Sequence, residues 1–138
     1  MELVLIRGLP GSGKTTMACG TMFKEFAHYE ADMFFTDEQG VYHYNRHKIR
    51  NAHEWCQREA FKALANGKSV VVSNTFTRRF EMEPYLEMAK TFGIEPRIME
   101  ATGRWPNVHC VPEEVVEKMR QRWEKISNAE VPGGSPGQ

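Results

Sequence analysis

Gly8-Leu9-Pro10-Gly11-Ser12-Gly13-Lys14-Thr15 decides the reading of this chain. The stretch fits G-x-x-x-x-G-K-[ST], the pattern of a phosphate-binding P-loop. Glycines let the backbone curl until successive N–H groups point at phosphate oxygens. Lys14 reaches the β- and γ-phosphates of a nucleotide, and the Thr15 hydroxyl ligates Mg²⁺. Gly8, Pro10, Gly11, Ser12, Gly13, Lys14, Thr15 and Thr16 form the expected nucleotide-binding set. The context fits as well. Leu3-Val4-Leu5-Ile6 reads as a buried strand entering the loop, and Thr16 to Ala27 reads as the helix leaving it. That helix adds its positive N-terminal end to the pull on phosphate. ATP or another NTP, with Mg²⁺, is the expected cofactor pair.

Bulk properties narrow the class. The 138 residues suffice for one domain with a proper core and not for two. We expect a domain over residues 1–126 and a flexible tail over 127–138, where the sequence turns rich in Gly, Pro and Ser. No apolar run reaches membrane-spanning length, and Met1-Glu2 leads straight into a strand without a signal peptide. Cys19, Cys56 and Cys110 are odd in number and lack C-x-x-C spacing. A disulfide framework and structural zinc are therefore not expected, and a reducing, cytoplasmic setting is. Formal net charge is zero, which argues against strong non-specific binding to nucleic acid but leaves room for a local basic groove.

Beyond the P-loop, Met17, Ala18, Met22 and Phe26 recur at helical spacing as a core face. A second strand around His28 to Ala31 delivers Asp32 to the sheet edge where open α/β folds bind ligands. Asp32 reads as general base for an acceptor hydroxyl, as a Mg²⁺ ligand through water, or simply as the cap of a short turn. Asp37 and Glu38 read as solvated turn residues between Phe34-Phe35 and Val41-Tyr42-His43-Tyr44, a small hairpin. Arg46-His47-Lys48-Ile49-Arg50 opens a helix that runs to about Ala65, with His53 and Trp55 as packing residues. Arg46 and Arg50 beside Tyr42 and Tyr44 are a candidate surface for a base and phosphates, or a charged helix face and nothing more.

Ser69 to Ser73 reads as a buried strand. An acid that helps hold Mg²⁺ is expected at its end. The chain has Ser73-Asn74-Thr75 there instead, so either Asp32 assists Thr15 or turnover is weak. Thr75, Arg78 and Arg79 follow at the ligand edge as candidate substrate contacts, before a helix from about Arg78 to Phe92 with Pro84 in its first turns. Glu95 to Glu100 reads as the fourth strand, and Thr102 to His109 as a lid from which Arg104 stabilises charge on a transferring phosphate. A last helix starts at Pro112-Glu113-Glu114.

The P-loop, the Asp32 segment, Ala52-His53-Glu54-Trp55, Ser73-Asn74-Thr75-Phe76-Thr77 and Glu81-Met82-Glu83-Pro84-Tyr85 occur together and in this order. In this the chain resembles the small P-loop kinase family that includes the kinase half of phage polynucleotide kinase. It resembles still more the phage and bacterial ATP-binding proteins of that group, and the P-loop domain of a eukaryotic ubiquitin-ligase-binding protein. The resemblance covers roughly residues 2–124. It implies an α/β fold, a mainly parallel sheet of about four strands in the order 2-3-1-4 with helices on both faces. It also implies 5′-hydroxyl kinase chemistry, with Asp32 as base and Arg104 as the lid arginine. The chain departs from the pattern at Phe35, where the polynucleotide kinase has Arg, at Ser73-Asn74, and in a short lid where His109 replaces an arginine.

The expected function is Mg²⁺-dependent transfer of the ATP γ-phosphate to a hydroxyl, with Lys14, Asp32 and Arg104 as catalytic groups and Thr15 and Asp32 as metal contacts. The acceptor reads as a 5′-OH of DNA or RNA, that is, a polynucleotide end as partner. The alternatives are a kinase for a nucleoside or small metabolite, and a nucleotide-dependent binding module with little turnover. Oligomeric state is not legible.

Overall fold

The computed structural model describes residues 1–103 and 111–131. Its centre is β1 (Leu3–Arg7), whose five residues are all buried. An uninterrupted apolar strand of this kind needs cover on both faces, which a parallel α/β sheet provides. β2 (Ala27–Tyr29), β3 (Val70–Asn74) and β4 (Pro96–Glu100) complete the sheet in the order β2-β3-β1-β4. All three pairings are parallel, with Leu3 opposite Val70 and Pro96, and Arg7 opposite Asn74 and Glu100. The expected strand order is thus the observed one.

Alternation along the strands sorts the core into two sides. Leu3, Leu5, Val70, Val72 and Ile98 face α2 (Ile49–Ala65) and α3 (Glu83–Phe92), meeting Cys56, Leu64, Met82 and Tyr85. Val4, Ile6, Val71 and Met99 face α1 (Lys14–Ala18) and Phe23. A fourth helix, α4 (Glu113–Gln121), buries Val116. No helix among the described residues is long and apolar enough to cross a membrane.

Three expected boundaries shift, each for a physical reason. The first helix is five residues long rather than running to Ala27. It stops before Gly20, the chain tightens into a 3-10 turn over Thr21–Phe23, and β2 begins at Ala27. Phe23 takes the core position, while Met22, counted on the apolar stripe, is exposed. The second strand ends at Tyr29, not Ala31, so Glu30 stands at its tip and Asp32 lies in a 3-10 turn, Ala31–Phe35. Glu130, expected to lie in the tail, bridges Met99 of β4 after a turn at residues 127–128. The Glu130 amide donates to Ile98 O at 2.8 Å, Glu130 O accepts from the Glu100 amide at 2.6 Å, and Arg97 Nε meets Glu130 Oε2 at 2.5 Å. This covers part of an otherwise open sheet edge.

Candidate nucleotide-phosphate site

The P-loop joins β1 to α1. Gly11 and Gly13 take φ of 83° and 88°, left-handed values that side chains resist. Left-handed residues alternating with right-handed ones turn consecutive amides to one side, which is an anion nest. Neighbours clamp the loop: the Gly8 amide donates to Thr75 O at 3.2 Å and the Gly103 amide to Ser12 O at 2.9 Å. A methyl group on Gly8 would fall 2.2 Å from Ser12 Oγ. That Ser12 hydroxyl is buried without a hydrogen bond in the protein, as suits a group whose partner is a ligand. Because α1 is so short, converging amides rather than a long helix dipole supply most of the pull on phosphate.

Lys14 follows the nest, half-buried. Desolvation lowers its pKa, and Glu30 and then Asp32 pull it back up, so both carboxylates face the ammonium. Glu30 was not among the residues singled out from sequence, yet it is the best-connected acid of the site. Its Oε2 accepts from Thr15 Oγ1 at 2.9 Å and from Ser73 Oγ at 2.7 Å. The Ser73 proton goes to Glu30, so the Ser73 oxygen accepts from His28 Nε2, 2.7 Å away. That assigns the His28 proton to Nε2 and leaves Nδ1 facing Cys19 Sγ at 3.9 Å. Burial pushes the Glu30 pKa up, but bonds from His28, Ser73 and Thr15 outweigh it and hold the carboxyl ionised below the usual range. The register of β2 on β3 supplies the signal that sequence alone lacks. Tyr29 pairs with Val72, so the next residue of β2 must lie beside Ser73, the position where an acid was missing.

Asp32 stands half-buried in the turn after β2 and accepts from the Tyr42 hydroxyl at 3.1 Å. Desolvation and the Asp32 charge push the Tyr42 phenol well above its ordinary pKa, so it stays a donor. Asn74, at the end of β3, accepts from the Ala31 amide at 2.8 Å and fixes the turn that carries Asp32. Asn74 thus positions a carboxylate rather than supplying one. His53, expected only to pack, keeps solvent access on α2. Desolvation lowers its pKa while Glu81 and Asp32 act in the opposite direction.

The hairpin expected after Phe35 is present: Thr36 bridges Tyr42 antiparallel, and Asp37 anchors the turn by accepting from the Gln39 and Val41 amides and bonding His43 Nε2 at 2.8 Å. Asp37, read as merely solvated, therefore shapes the turn. Tyr42 and Tyr44 stack at 6.3 Å and both meet Phe35. A cleft of about 370 Å³ opens beside them, lined by Phe34, Phe35, His43 and Lys48 among others.

The remaining candidates divide. Thr75 sits half-buried against the P-loop through its carbonyl. Arg46 and Arg50 are exposed at the start of α2, Arg50 near Glu54 at 3.9 Å. Arg78 is exposed at the entry to the turn before α3. Arg79 pairs with Glu83 at 3.6 Å and lines a groove between α3 and β4, so the structure does not bring it to the P-loop. Arg104 and His109 lie outside the described residues. The Thr15 hydroxyl, exposed and backed by the Glu30 carboxylate with Asp32 nearby, is a set of hard oxygen donors of the kind Mg²⁺ takes together with phosphate.

Residues 3–125 match the family described as an AAA domain. The Pasteurella multocida protein PM0531 is 30% identical, over 85% of this chain and 73% of its own length. Human NEDD4-binding protein 2 is 27% identical over 91% of this chain, which spans only 8% of that protein. Among solved structures, a chain of the Pnkp1/Rnl/Hen1 RNA repair complex superposes with TM-score 0.67 at 15% identity, covering 88% of this chain and 43% of that one. Kti12 of Chaetomium thermophilum, in complex with ADP-AlF3, gives 0.66 at 14% identity over 94% and 87%. The Mycobacterium tuberculosis APS kinase CysC, in complex with AMPPNP and APS, gives 0.57 at 14% identity over 97% and 90%. At these identities the superpositions speak to fold alone. With its P-loop nest, its sheet order and a family match along nearly its whole length, the chain belongs to the AAA domain family.

Proposed function

We propose that this domain transfers the γ-phosphate of ATP to a hydroxyl, and that the acceptor is the 5′-hydroxyl of a DNA or RNA end. The observation that carries the reading is a nest built for phosphate with Lys14 at its end, within electrostatic reach of two carboxylates, Glu30 bonded to Thr15 and Asp32 bonded to Tyr42. The nest and Lys14 hold the β- and γ-phosphates, and Thr15 offers its oxygen to Mg²⁺. Bound with the nucleotide, Mg²⁺ neutralises charge on the phosphate oxygens. Asp32, oriented by Tyr42, accepts the proton of the acceptor hydroxyl. The hydroxyl oxygen forms a bond to the γ-phosphorus, the bond to the β-phosphate oxygen breaks, and ADP leaves. Positioning and electrostatics account for most of such a reaction, so a small set of groups suffices.

The polynucleotide end is supported by what surrounds Asp32. Stacked Tyr42 and Tyr44 offer faces to a terminal base, and Arg46, Lys48 and Arg50 offer charge to the phosphates behind it. The fold shared with a chain of an RNA repair complex agrees with this choice. The test is transfer of radiolabel from γ-labelled ATP to a panel of acceptors. Label should appear on oligonucleotides with a 5′-hydroxyl and not on those already 5′-phosphorylated, and Asp32→Asn should lower the rate at least about a hundredfold. Label on nucleosides or other small hydroxyl compounds alone would move the acceptor to a metabolite. Slow ATP loss identical in wild type and Asp32→Asn, with no labelled acceptor, would make this a nucleotide-dependent binding module.

A further inference from the structure

The end of β3 carries no acid, although the nucleotide-bound metal ordinarily needs one within reach of the P-loop hydroxyl. We propose that Glu30, at the end of β2, supplies this carboxylate from the neighbouring strand. The inference rests on the phosphotransferase reading above and deepens its metal site.

Three observations carry it. The first is place. Parallel pairing of Tyr29 with Val72 sets Glu30 next to Ser73, so an acid on β2 reaches the spot from which an acid on β3 would act. The second is connection. A single oxygen, Glu30 Oε2, accepts from both the P-loop hydroxyl of Thr15 and the Ser73 hydroxyl. Thr15 Oγ1 has one proton and two lone pairs; with the proton committed to Glu30, the lone pairs remain for a cation. The third is economy of charge. Glu30 keeps only 13% of its side-chain surface exposed. A carboxylate so enclosed costs desolvation unless it is paired. Hydrogen bonds from Thr15 and Ser73, with His28 beside them, offset that cost without nucleotide, and a divalent cation would offset it further. Asp32 is engaged differently, accepting from the Tyr42 hydroxyl on the hairpin.

Ser73 then has a defined part. It is fully buried, and it is small enough to leave room for the Glu30 carboxylate while donating to it. The two positions are therefore exchangeable in principle: an acid at 73 with a serine at 30 places the charge back on β3.

The test measures metal affinity without turnover. Mn²⁺ is titrated into the full chain saturated with ADP and followed by electron paramagnetic resonance, and ADP affinity without metal is measured in parallel. Glu30→Gln keeps the shape and the acceptor oxygen. It should leave metal-free ADP affinity near wild type and weaken Mn²⁺ binding by about 10- to 100-fold. The exchange Glu30→Ser with Ser73→Asp should recover at least half of that loss on a logarithmic scale, which a structural role for Glu30 does not predict. Thermal melts establish that each variant is folded; should Glu30→Gln fail to fold, the exchange variant alone decides, by binding Mn²⁺ within about fivefold of wild type or not. Wild-type Mn²⁺ affinity in Glu30→Gln overturns the inference, and so does a loss of metal affinity confined to Asp32→Asn. If wild-type protein binds no ADP at all, the phosphotransferase reading itself fails, an outcome distinct from either.

Discussion

Two cations mark the C-terminal end of β1, and they are bound in opposite ways. Arg7 closes the strand on the side of α2 and α3. It is completely buried, donates to Phe76 O from Nε at 3.0 Å and from Nη2 at 2.8 Å, reaches Thr77 O at 3.1 Å, and lies 3.9 Å from the Trp123 ring centroid. Lys14, seven residues on, sits on the other side of the loop facing Glu30 and Asp32. Burial lowers the pKa of both, and carboxylates counter it in both: Glu100, Glu124 and Glu81 for Arg7, Glu30 and Asp32 for Lys14. The difference is in the partners. Arg7 gives Nε and Nη2 to backbone carbonyls, including that of Phe76, a residue held at a φ of 46°, while Nη1 lies 4.0 Å from Glu100 Oε2. It fixes the shape of the chain after β3, whose Thr75 carbonyl in turn clamps Gly8. The Lys14 ammonium instead faces ionic groups beside an anion nest. A desolvated cation held chiefly by backbone carbonyls maintains structure, and one within electrostatic reach of two acids at a nest is placed for a ligand.

Substitution should separate the two roles. Lys14→Ala should abolish phosphate transfer and weaken ATP binding by at least about a hundredfold, since the nest loses the charge that meets the β- and γ-phosphates. Its folding stability should change by less than about 1 kcal/mol, because a desolvated cation and its attraction to two acids disappear together. Urea unfolding and nucleotide binding on the same samples check both halves. A large stability loss would erase the contrast with Arg7. Arg7→Met should do the reverse. Removing a buried cation that satisfies two carbonyls should cost about 3 kcal/mol or more of stability. Affinity for ATP in the folded fraction should fall less than tenfold, read at low temperature where that fraction dominates. Loss of nucleotide affinity without loss of stability would place Arg7 in the site.

The same contrast explains what was legible in the sequence. Residues 8–15 announce phosphate binding because the nest needs glycine at fixed places and a lysine at its end, so chemistry is written in residue type. Strand order follows from the resemblance, and apolar runs point only to a covered parallel sheet. Glu30 stayed hidden because His28-Tyr29-Glu30-Ala31-Asp32 offers two acids, and which one stands at the strand tip depends on a boundary of two residues. A missing acid at Ser73 was read as a deficit of β3, when the register of β2 and β3 makes it a question about both. The burial of Arg7 is not legible in a strand's last residue; it comes from the packing of Trp123 and the loop at 76–77. The first helix misled through its spacing, since Met17, Met22 and Phe26 are helical in register while Gly20 ends the helix between them.

The smallest of the expected effects falls on the acceptor side, and it sharpens the contrast from there. Asp32 differs from both cations, since it accepts a hydrogen bond from Tyr42 Oη on the neighbouring hairpin. If that bond orients the base, Tyr42→Phe should lower kcat by about five- to tenfold, the worth of one hydrogen bond to a charged group, with KM for ATP unchanged. Phenylalanine retains the ring that stacks on Tyr44 and meets Phe35, so stability should barely move. The aromatic faces offered to a terminal base also remain, so KM for an oligonucleotide should stay within about twofold. A rise in oligonucleotide KM with kcat intact would assign Tyr42 to holding the acceptor rather than to aligning the carboxylate. In that case Asp32 would owe its position to the Asn74 bond at Ala31, and Asn74→Ala, not Tyr42→Phe, would be the change that slows transfer.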